Sequence, residues 1–170
     1  GYDGAGNVGS FTSGFVSFVD LTVPLAFPRA DWVVSLETGE HIPYTNEFLF
    51  VRNLHAHNCR GIVVSWGQLG QWGRGHINNH GQRYLIETFT GLGYVYEHAA
   101  TMKLRHMHNA KKRSYGVDER GLSGPYPWFA TSLFVLRRAQ VQTGLGCDPD
   151  ASVDDHHRKL PHMAAAQVAA

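Results

Sequence analysis

The hydrophobic positions along the chain form short apolar runs that predict buried β-strands. Three of these runs span residues 15–19, 31–36 and 61–66, and the third is almost continuously apolar. Such runs are typical of strands covered on both faces, as in parallel sheets. Residues 94–96 predict a further strand, and residues 129–136 predict the last one.

Segments with apolar residues at three-to-four spacing lie between these strands. They predict a helix within residues 45–58 and another that carries residues 85–92 and ends at Gly93. Residues 101–110 predict a short basic helix, and residues 111–127 an irregular loop. Strands that alternate with helices indicate an α/β fold with a parallel sheet. The long excursion before the last strand favours an antiparallel edge strand.

Length and composition are those of one globular domain. The chain has 170 residues, 43% of them hydrophobic, and a net charge of +1, which gives no reason to expect general nucleic-acid binding. Residues 1–139 carry the periodic pattern and form the predicted domain. Residues 140–170 are polar and alanine-rich without periodicity, and we expect a disordered or loosely packed tail there.

The two cysteines, Cys59 and Cys147, are far apart and form no CxxC pair. We therefore expect no disulfide framework, no disulfide-linked partner and no cysteine-based zinc site, and a reducing, cytoplasmic location follows. No apolar run has the length of a membrane span, so no membrane partner is expected, and no signal peptide is visible. The chain begins with Gly1 and not Met, which indicates an incomplete or trimmed sequence.

Polar residues follow the predicted strands at the ends where open α/β sheets bind ligands. Asp3 follows a strand remnant, Asp20 ends the first apolar run, and residues 37–41 follow the second. A glycine-rich loop, residues 67–76, follows the third. This distribution favours a binding site at the carboxyl edge of the sheet, although loops are polar in general.

Glu37, Glu40 and His41 form a Glu-x-x-Glu-His cluster behind the second strand. Two carboxylates and an imidazole suit a divalent ion such as Mg²⁺, Mn²⁺, Zn²⁺ or Fe²⁺. His76, in the loop after the neighbouring strand, is within reach because adjacent strands lie about 5 Å apart. The alternative is that Glu40 caps a helix, His41 bonds locally and His76 belongs to a helix start.

Other polar residues have ordinary explanations. Asp3 suits the ribose hydroxyls of a nucleotide, but a lone Asp is also common in turns. The basic segment of residues 103–113 is typical of a solvated face, with attraction of an anionic acceptor as the alternative. We expect seven other histidines on the surface: His55, His57, His106, His108, His156, His157 and His162.

The chain resembles class I S-adenosylmethionine (SAM) dependent methyltransferases. Residues 31–43 resemble their fourth motif in the form written with Glu-x-x-Glu-His. Residues 1–4 look like the end of the second strand, and residues 19–22 like the turn after the third. Residues 61–67 and 128–138 resemble the fifth and last strands. The resemblance covers about residues 1–138 in matching order.

The resemblance implies that SAM lies over the carboxyl ends of the strands. Asp3 would bind the ribose hydroxyls, and Asp20 with Leu21 would border the adenine. Leu36 and Glu37 would flank the methyl donor.

Relatives that methylate small-RNA 3′ ends or ubiquinone precursors use a Glu-x-x-Glu-His metal site. In this chain Glu37, Glu40, His41 and His76 match that pattern. The resemblance thus implies a divalent metal (Mg, Mn, Zn or Fe) that lowers the pKa of an acceptor hydroxyl, with His41 or His76 as the general base in its absence. The sequence does not show whether the methyl acceptor is a small molecule or an RNA end.

The chain departs from the family at its start, because the glycine-rich first motif is absent. We therefore expect a Rossmann-like, mostly parallel sheet that lacks the first strand and most of the second. Such a chain should bind SAM poorly and be unstable alone. Residues 109–127 look inserted. Two other functions stay open: a remnant acting as an interaction module, and a metal-dependent hydrolase.

Overall fold

The computed structural model describes residues 1–112, 128–144, 146 and 147, with side chains omitted for residues 108–112. Six strands and five α-helices alternate along this part of the chain. The strands are β1 (Tyr2–Asp3), β2 (Ser17–Phe18), β3 (Ala30–Ser35), β4 (Asn58–Ser65), β5 (Tyr94–Tyr96) and β6 (Leu133–Arg138). The helices are α1 (Val8–Phe11), α2 (Glu47–Ala56), α3 (Gln82–Gly91), α4 (His98–Lys112) and α5 (Phe129–Ser132), with 3-10 turns at Gly39–His41 and Tyr44–Asn46.

A four-stranded sheet in the order β3-β4-β6-β5 forms the centre of the fold. β3 pairs with β4 in parallel, while β6 runs antiparallel to both β4 and β5. Three of the four strands therefore point the same way, which confirms the predicted Rossmann-like α/β class with one antiparallel strand. The predicted edge position of that strand was wrong, because β6 pairs on both sides and lies between β4 and β5, so the short β5 forms the edge. The sequence indicates a change of direction after the long excursion but not the place where the returning strand pairs.

β1 and β2 form a separate parallel pair. Tyr2 is opposite Ser17, and Asp3 is opposite Phe18. In the described residues neither strand has a ladder to β3. Both strands are exposed along their length.

The hydrophobic core lies between one face of the larger sheet and helices α2 and α3. The sheet contributes residues at paired positions of β4 and β6, because Ile62 is opposite Leu136 and Val64 is opposite Phe134. The helices and the following loop cover them with Phe50, Leu54, Leu85, Phe89 and Trp66. Gly93, with φ +85°, ends α3 as predicted, because a left-handed residue there closes the last turn.

The first part of the last predicted strand was wrong. Residues 129–132 form a helical turn, in which the backbone N–H groups of Thr131 and Ser132 donate to the Trp128 carbonyl. The strand begins at Leu133. An apolar run has no period that separates a short helix from a strand, so the sequence alone favoured the longer strand.

The cysteine prediction was also wrong, since Cys59 and Cys147 form a disulfide. The backbone N–H of Gln142 donates to the Cys59 carbonyl, and Gly144 pairs with Cys147, so the chain turns back over the start of β4. Sequence spacing cannot show such a return across 88 residues. The argument from cysteines for a reducing compartment fails, and residues 148–170 of the predicted tail lie outside the described part.

In the described residues no helix combines the length and apolar character of a membrane span.

Candidate functional site

A cavity of about 570 Å³ lies at the carboxyl edge of the strands. Its lining comes from the ends of β1, β2 and β3 and the 3-10 turn after β3. The predicted residues that line it are Asp3, Asp20, Leu21, Leu36, Glu37 and His41. The structure therefore brings together residues from three separate strand ends, as the parallel-sheet argument requires.

Asp3 and Asp20 each hold a turn at the cavity rim. Oδ1 of Asp3 accepts a hydrogen bond of 2.7 Å from the backbone N–H of Ala5. Oδ1 of Asp20 accepts from the hydroxyl and the backbone N–H of Thr22, at 2.6 and 2.8 Å. These two bonds lower the pKa of Asp20 below its ordinary value. Both side chains are thus fixed, exposed anions at the cavity.

Glu37 has an unusual backbone and a tightly held side chain. Its φ of +48° lies in the left-handed region, which is uncommon for a residue with a Cβ and recurs at functional sites. Its backbone N–H donates to Oγ of Ser65 at 2.7 Å. Its carboxylate accepts from Nε2 of Gln71 at 3.2 Å and from Oγ of Ser132 at 3.1 Å. Three elements therefore fix Glu37.

Glu40 is fully buried, at 0% exposure, behind the cavity. In the described residues neither carboxylate oxygen has a well-formed hydrogen bond. Burial raises the pKa of Glu40 to about 7, and the charge of Glu37 adds to this, while nearby backbone N–H groups and His41 oppose it. A buried carboxylate without partners is a costly arrangement that a bound cation would relieve.

His41 and His76 lie close to this carboxylate and to each other. Their rings are 5.0 Å apart and nearly perpendicular, and Nε2 of His76 lies 4.0 Å from Oε1 of Glu40. Nδ1 of His41 is 3.0 Å from the Gly75 carbonyl, so Nδ1–H donates and Nε2 is the ring nitrogen outside this bond. Nδ1 of His76 is buried without a partner in the described residues.

Glycines of the loop after β4 leave the space that these rings occupy. A Cβ on Gly73 would lie 2.0 Å from Nε2 of His76, and one on Gly67 would lie 3.0 Å from Nδ1 of the same ring. Gly75, at φ +77°, turns the chain so that its carbonyl meets His41. The glycine-rich composition of this loop therefore has a steric cause.

Glu47, on α2, anchors the far end of the same loop. Its carboxylate, 6% exposed, accepts from the Asn78 amide at 2.7 Å, from the His80 ring at 2.6 Å and from the Tyr84 hydroxyl. Burial raises the pKa of Glu47, but the three hydrogen bonds outweigh it and the net shift is downward. The backbone N–H of Asn78 also donates to the Glu40 carbonyl. The Glu47 network thus holds the segment that carries His76.

The potential metal ligands form a group of three. One ligand atom from each of Glu40, His41 and His76 lies within 4.8 Å of the others. Ligand atoms bound at about 2.1 Å in a tetrahedral site lie about 3.4 Å apart, so these atoms would have to approach one another by up to about 1.4 Å to hold one ion. Glu37 lies outside this group in the described structure, held by Gln71 and Ser132.

Several residues of the site had no signal in the sequence. Gln71 and Ser132 reach Glu37 from remote segments, and Glu47 reads as an ordinary first-turn helix residue.

Another cavity, about 640 Å³, lies between α2 and α3, and none of the predicted site residues lines it.

The remaining histidines behave differently from one another. His106 is exposed, as predicted. His57 is partly buried and bonds the Asn53 carbonyl and the Phe27 N–H, and His55 is partly buried against Tyr94, so their prediction as surface residues was wrong. The side chains of His108, His156, His157 and His162 lie outside the described part.

No model of a known protein family matches the sequence, and no curated protein matches it. Among solved structures, the chain is similar to magnesium protoporphyrin IX methyltransferase (ChlM) from Synechocystis PCC 6803 with bound SAH. The TM-score is 0.44 and the identity 11%, over 73% of this chain and 51% of the other. The chain thus spans about half the length of that protein.

Proposed function

We propose that this chain is part of a SAM-dependent methyltransferase whose cofactor occupies the cavity at the carboxyl edge. One observation carries the proposal. The five residues that the sequence resemblance implies for SAM binding line a single cavity, although they come from three strand ends: Asp3, Asp20, Leu21, Leu36 and Glu37.

The cavity offers the groups that a nucleoside ligand needs. Its volume of about 570 Å³ is in the usual range for small-molecule sites, about 300–1,000 Å³. The Asp3 carboxylate would accept hydrogen bonds from the ribose hydroxyls, and Leu21 would pack against the adenine beside Asp20. Leu36 and Glu37 would border the end that carries the methyl group.

When bound, SAM supplies an electrophilic methyl group with its leaving group already attached. The protein therefore has to align an acceptor oxygen with that methyl carbon and remove one proton. His41 is exposed at the cavity, and its Nδ1 is taken by the Gly75 carbonyl, so its Nε2 would accept the proton of the acceptor hydroxyl. His76 is the alternative base.

Glu40, His41 and His76 would hold a divalent ion, and Glu37 would join them by leaving Gln71 and Ser132. Such an ion would supply Lewis acidity toward the acceptor oxygen. The unpartnered Glu40 oxygens and the unpartnered Nδ1 of His76 support this assignment. Histidine and carboxylate donors suit Zn²⁺, Mn²⁺ or Fe²⁺ better than Mg²⁺, which prefers oxygen ligands.

The three-ligand cluster also supports a second candidate, a metal-dependent hydrolase. A hydrolase would need the metal and would ignore the cavity between β1, β2 and β3. SAM-independent hydrolysis of an ester probe, lost in His76→Ala, would favour it. Ester hydrolysis that is the same in His76→Ala and in the unmodified chain, together with SAM binding in the cavity, would favour methyl transfer.

Saturation-transfer NMR with SAM on the full chain tests the proposal. Binding is expected to be weak, to be displaced by S-adenosylhomocysteine, and to fall in Asp20→Asn. Asp31→Asn is the matched control, because Asp31 lies at the opposite end of β3 in an ion pair with Arg60. Equal signals in both variants, or no signal in the unmodified chain, would refute the proposed cofactor cavity.

A further inference from the structure

The excursion between β5 and β6 begins and ends at the same edge of the sheet as the proposed site. Leu133, the first residue of β6, is opposite Ser65, the last residue of β4. Ser65 in turn accepts the backbone N–H of Glu37, and Ser132 donates to the Glu37 carboxylate. A side chain of α4 that bonds the start of β6 is therefore linked to the Glu37 end of the cavity through Ser132 and Leu133.

Arg105, on α4, is buried there without a carboxylate partner. Its side chain is 7% exposed, and Nε donates to the Leu133 carbonyl at 2.9 Å. The guanidinium carbon lies 5.0 Å from the centre of the Phe134 ring, which also contacts Tyr96. Nη2 has no hydrogen-bond partner among the described residues, and no described carboxylate forms an ion pair with Arg105.

Arg138 shows how this fold treats a buried arginine that has only a structural task. It is also 7% exposed, and it also lies over an aromatic ring, Tyr94. Its Nε donates to the backbone and side-chain oxygens of Asn58, and its Nη2 donates to the His55 carbonyl. The chain thus satisfies the guanidinium at the amino end of β4 and leaves one nitrogen of Arg105 unsatisfied at the carboxyl end.

A buried guanidinium nitrogen without an acceptor is unfavourable, and an anion is its strongest partner. Burial lowers the pKa of Arg105, which the charge of a bound anion would reverse. Phe134 and Tyr96 form an apolar and aromatic surround that strengthens a charge-assisted bond. Tyr96 adds a hydroxyl near the guanidinium.

We propose that Arg105 binds an anionic group, a carboxylate or a phosphate, of the methyl acceptor. This inference rests on the proposed methyltransferase function and narrows its acceptor to an anionic molecule. Arg105 holds that group while the acceptor oxygen faces the His41 side of the cavity. It acts as a specificity residue and transfers no proton.

The test is a titration of the ¹⁵N-labelled full chain with sodium phosphate and, separately, sodium acetate at constant ionic strength. The Nε–H resonance of Arg105 is expected to shift saturably, while that of Arg138 stays in place. Arg105→Gln should lower the affinity for the preferred anion by about tenfold, since it removes a charge-assisted hydrogen bond. Preference for phosphate or for acetate identifies the acceptor group.

Lys103→Gln is the matched control, because it removes one exposed positive charge from the same helix. The affinity of Lys103→Gln for the anion should differ from that of the unmodified chain by less than about twofold, because a surface charge is screened by salt. Equal losses in both variants, or a stationary Arg105 resonance, would overturn the inference. If Arg105→Gln does not fold, the comparison of the Arg105 and Arg138 resonances still decides. No cofactor is present, so this outcome is independent of SAM binding.

Discussion

Nε2 of His76 lies 4.0 Å from Oε1 of Glu40, and the two side chains are 11% and 0% exposed. This pair joins the loop after β4 to the turn after β3, and it places a carboxylate and an imidazole together away from water. In the described residues neither carboxylate oxygen of Glu40 nor Nδ1 of His76 has a hydrogen-bond partner. A cation bound beside them, as proposed above, would offset the cost of burying these groups.

Glu40→Gln should stabilise the metal-free protein at high pH. The pKa of Glu40 is raised to about 7 in the folded state, so stability is lost as pH rises from about 4.5 through 7. The variant should gain about 2–3 kcal/mol over the unmodified chain at pH 8 and almost nothing at pH 4.5. Urea unfolding in the presence of EDTA measures this. If the difference in unfolding free energy between the two proteins is the same at both pH values, Glu40 does not change its protonation state in this range.

Gly73→Ala should weaken metal binding with little effect on the rest of the fold. The added Cβ would lie 2.0 Å from Nε2 of His76, so the ring must leave its position. We expect at least about a tenfold loss of Zn²⁺ or Mn²⁺ affinity by calorimetry, as for loss of one ligand's orientation. Gly91→Ala, whose Cβ meets nothing within 4 Å, is the control. Identical affinities in the two variants would contradict the role of His76.

Glu47→Ala should destabilise the protein by about 2–4 kcal/mol, because it leaves buried Asn78 and His80 donors unpaired. The pKa of Glu47 is lowered, so its contribution is complete above about pH 4.5 and is lost as pH falls below that value. Denaturation curves at pH 7 and pH 3 test both statements. Exposed Glu87→Ala should cost less than about 1 kcal/mol. A loss of stability as small as this in Glu47→Ala would contradict the role of Glu47 in holding the loop after β4.

Cys147→Ser should lower the free energy of unfolding by about 2–4 kcal/mol under oxidising conditions, because the disulfide closes a loop across 88 residues. In excess reductant the two proteins should become nearly equal. Mass spectrometry after alkylation counts the free thiols. Two alkylated thiols in the unreduced chain would contradict the disulfide.

The sequence predicted the parts of the fold that depend on local pattern. The apolar run at residues 61–66 predicted most of β4, and the three-to-four spacing of residues 85–92 predicted α3. Gly93 ends that helix because its φ is positive. The meeting of Asp3, Asp20 and Glu37 followed from the rule that parallel strand ends share an edge.

The rest depends on contacts between remote segments. Ser132 reaches Glu37 only because β6 runs antiparallel beside β4, and no local pattern encodes that register. The Cys59–Cys147 bond and the Glu47 network arise in the same way. The departure of Glu37 from the metal group follows from its bonds to Gln71 and Ser132, which the Glu-x-x-Glu-His spacing cannot show.

The most direct test of the central claim is residue-resolved mapping of S-adenosylhomocysteine on the ¹⁵N-labelled chain by NMR. The account predicts that the backbone amides of Asp3, Asp20, Leu36 and Glu37 shift together with one dissociation constant, while residues of the α2–α3 cavity such as Arg52 and Thr88 stay unchanged. Shifts confined to the α2–α3 cavity, or none at millimolar ligand, would contradict it.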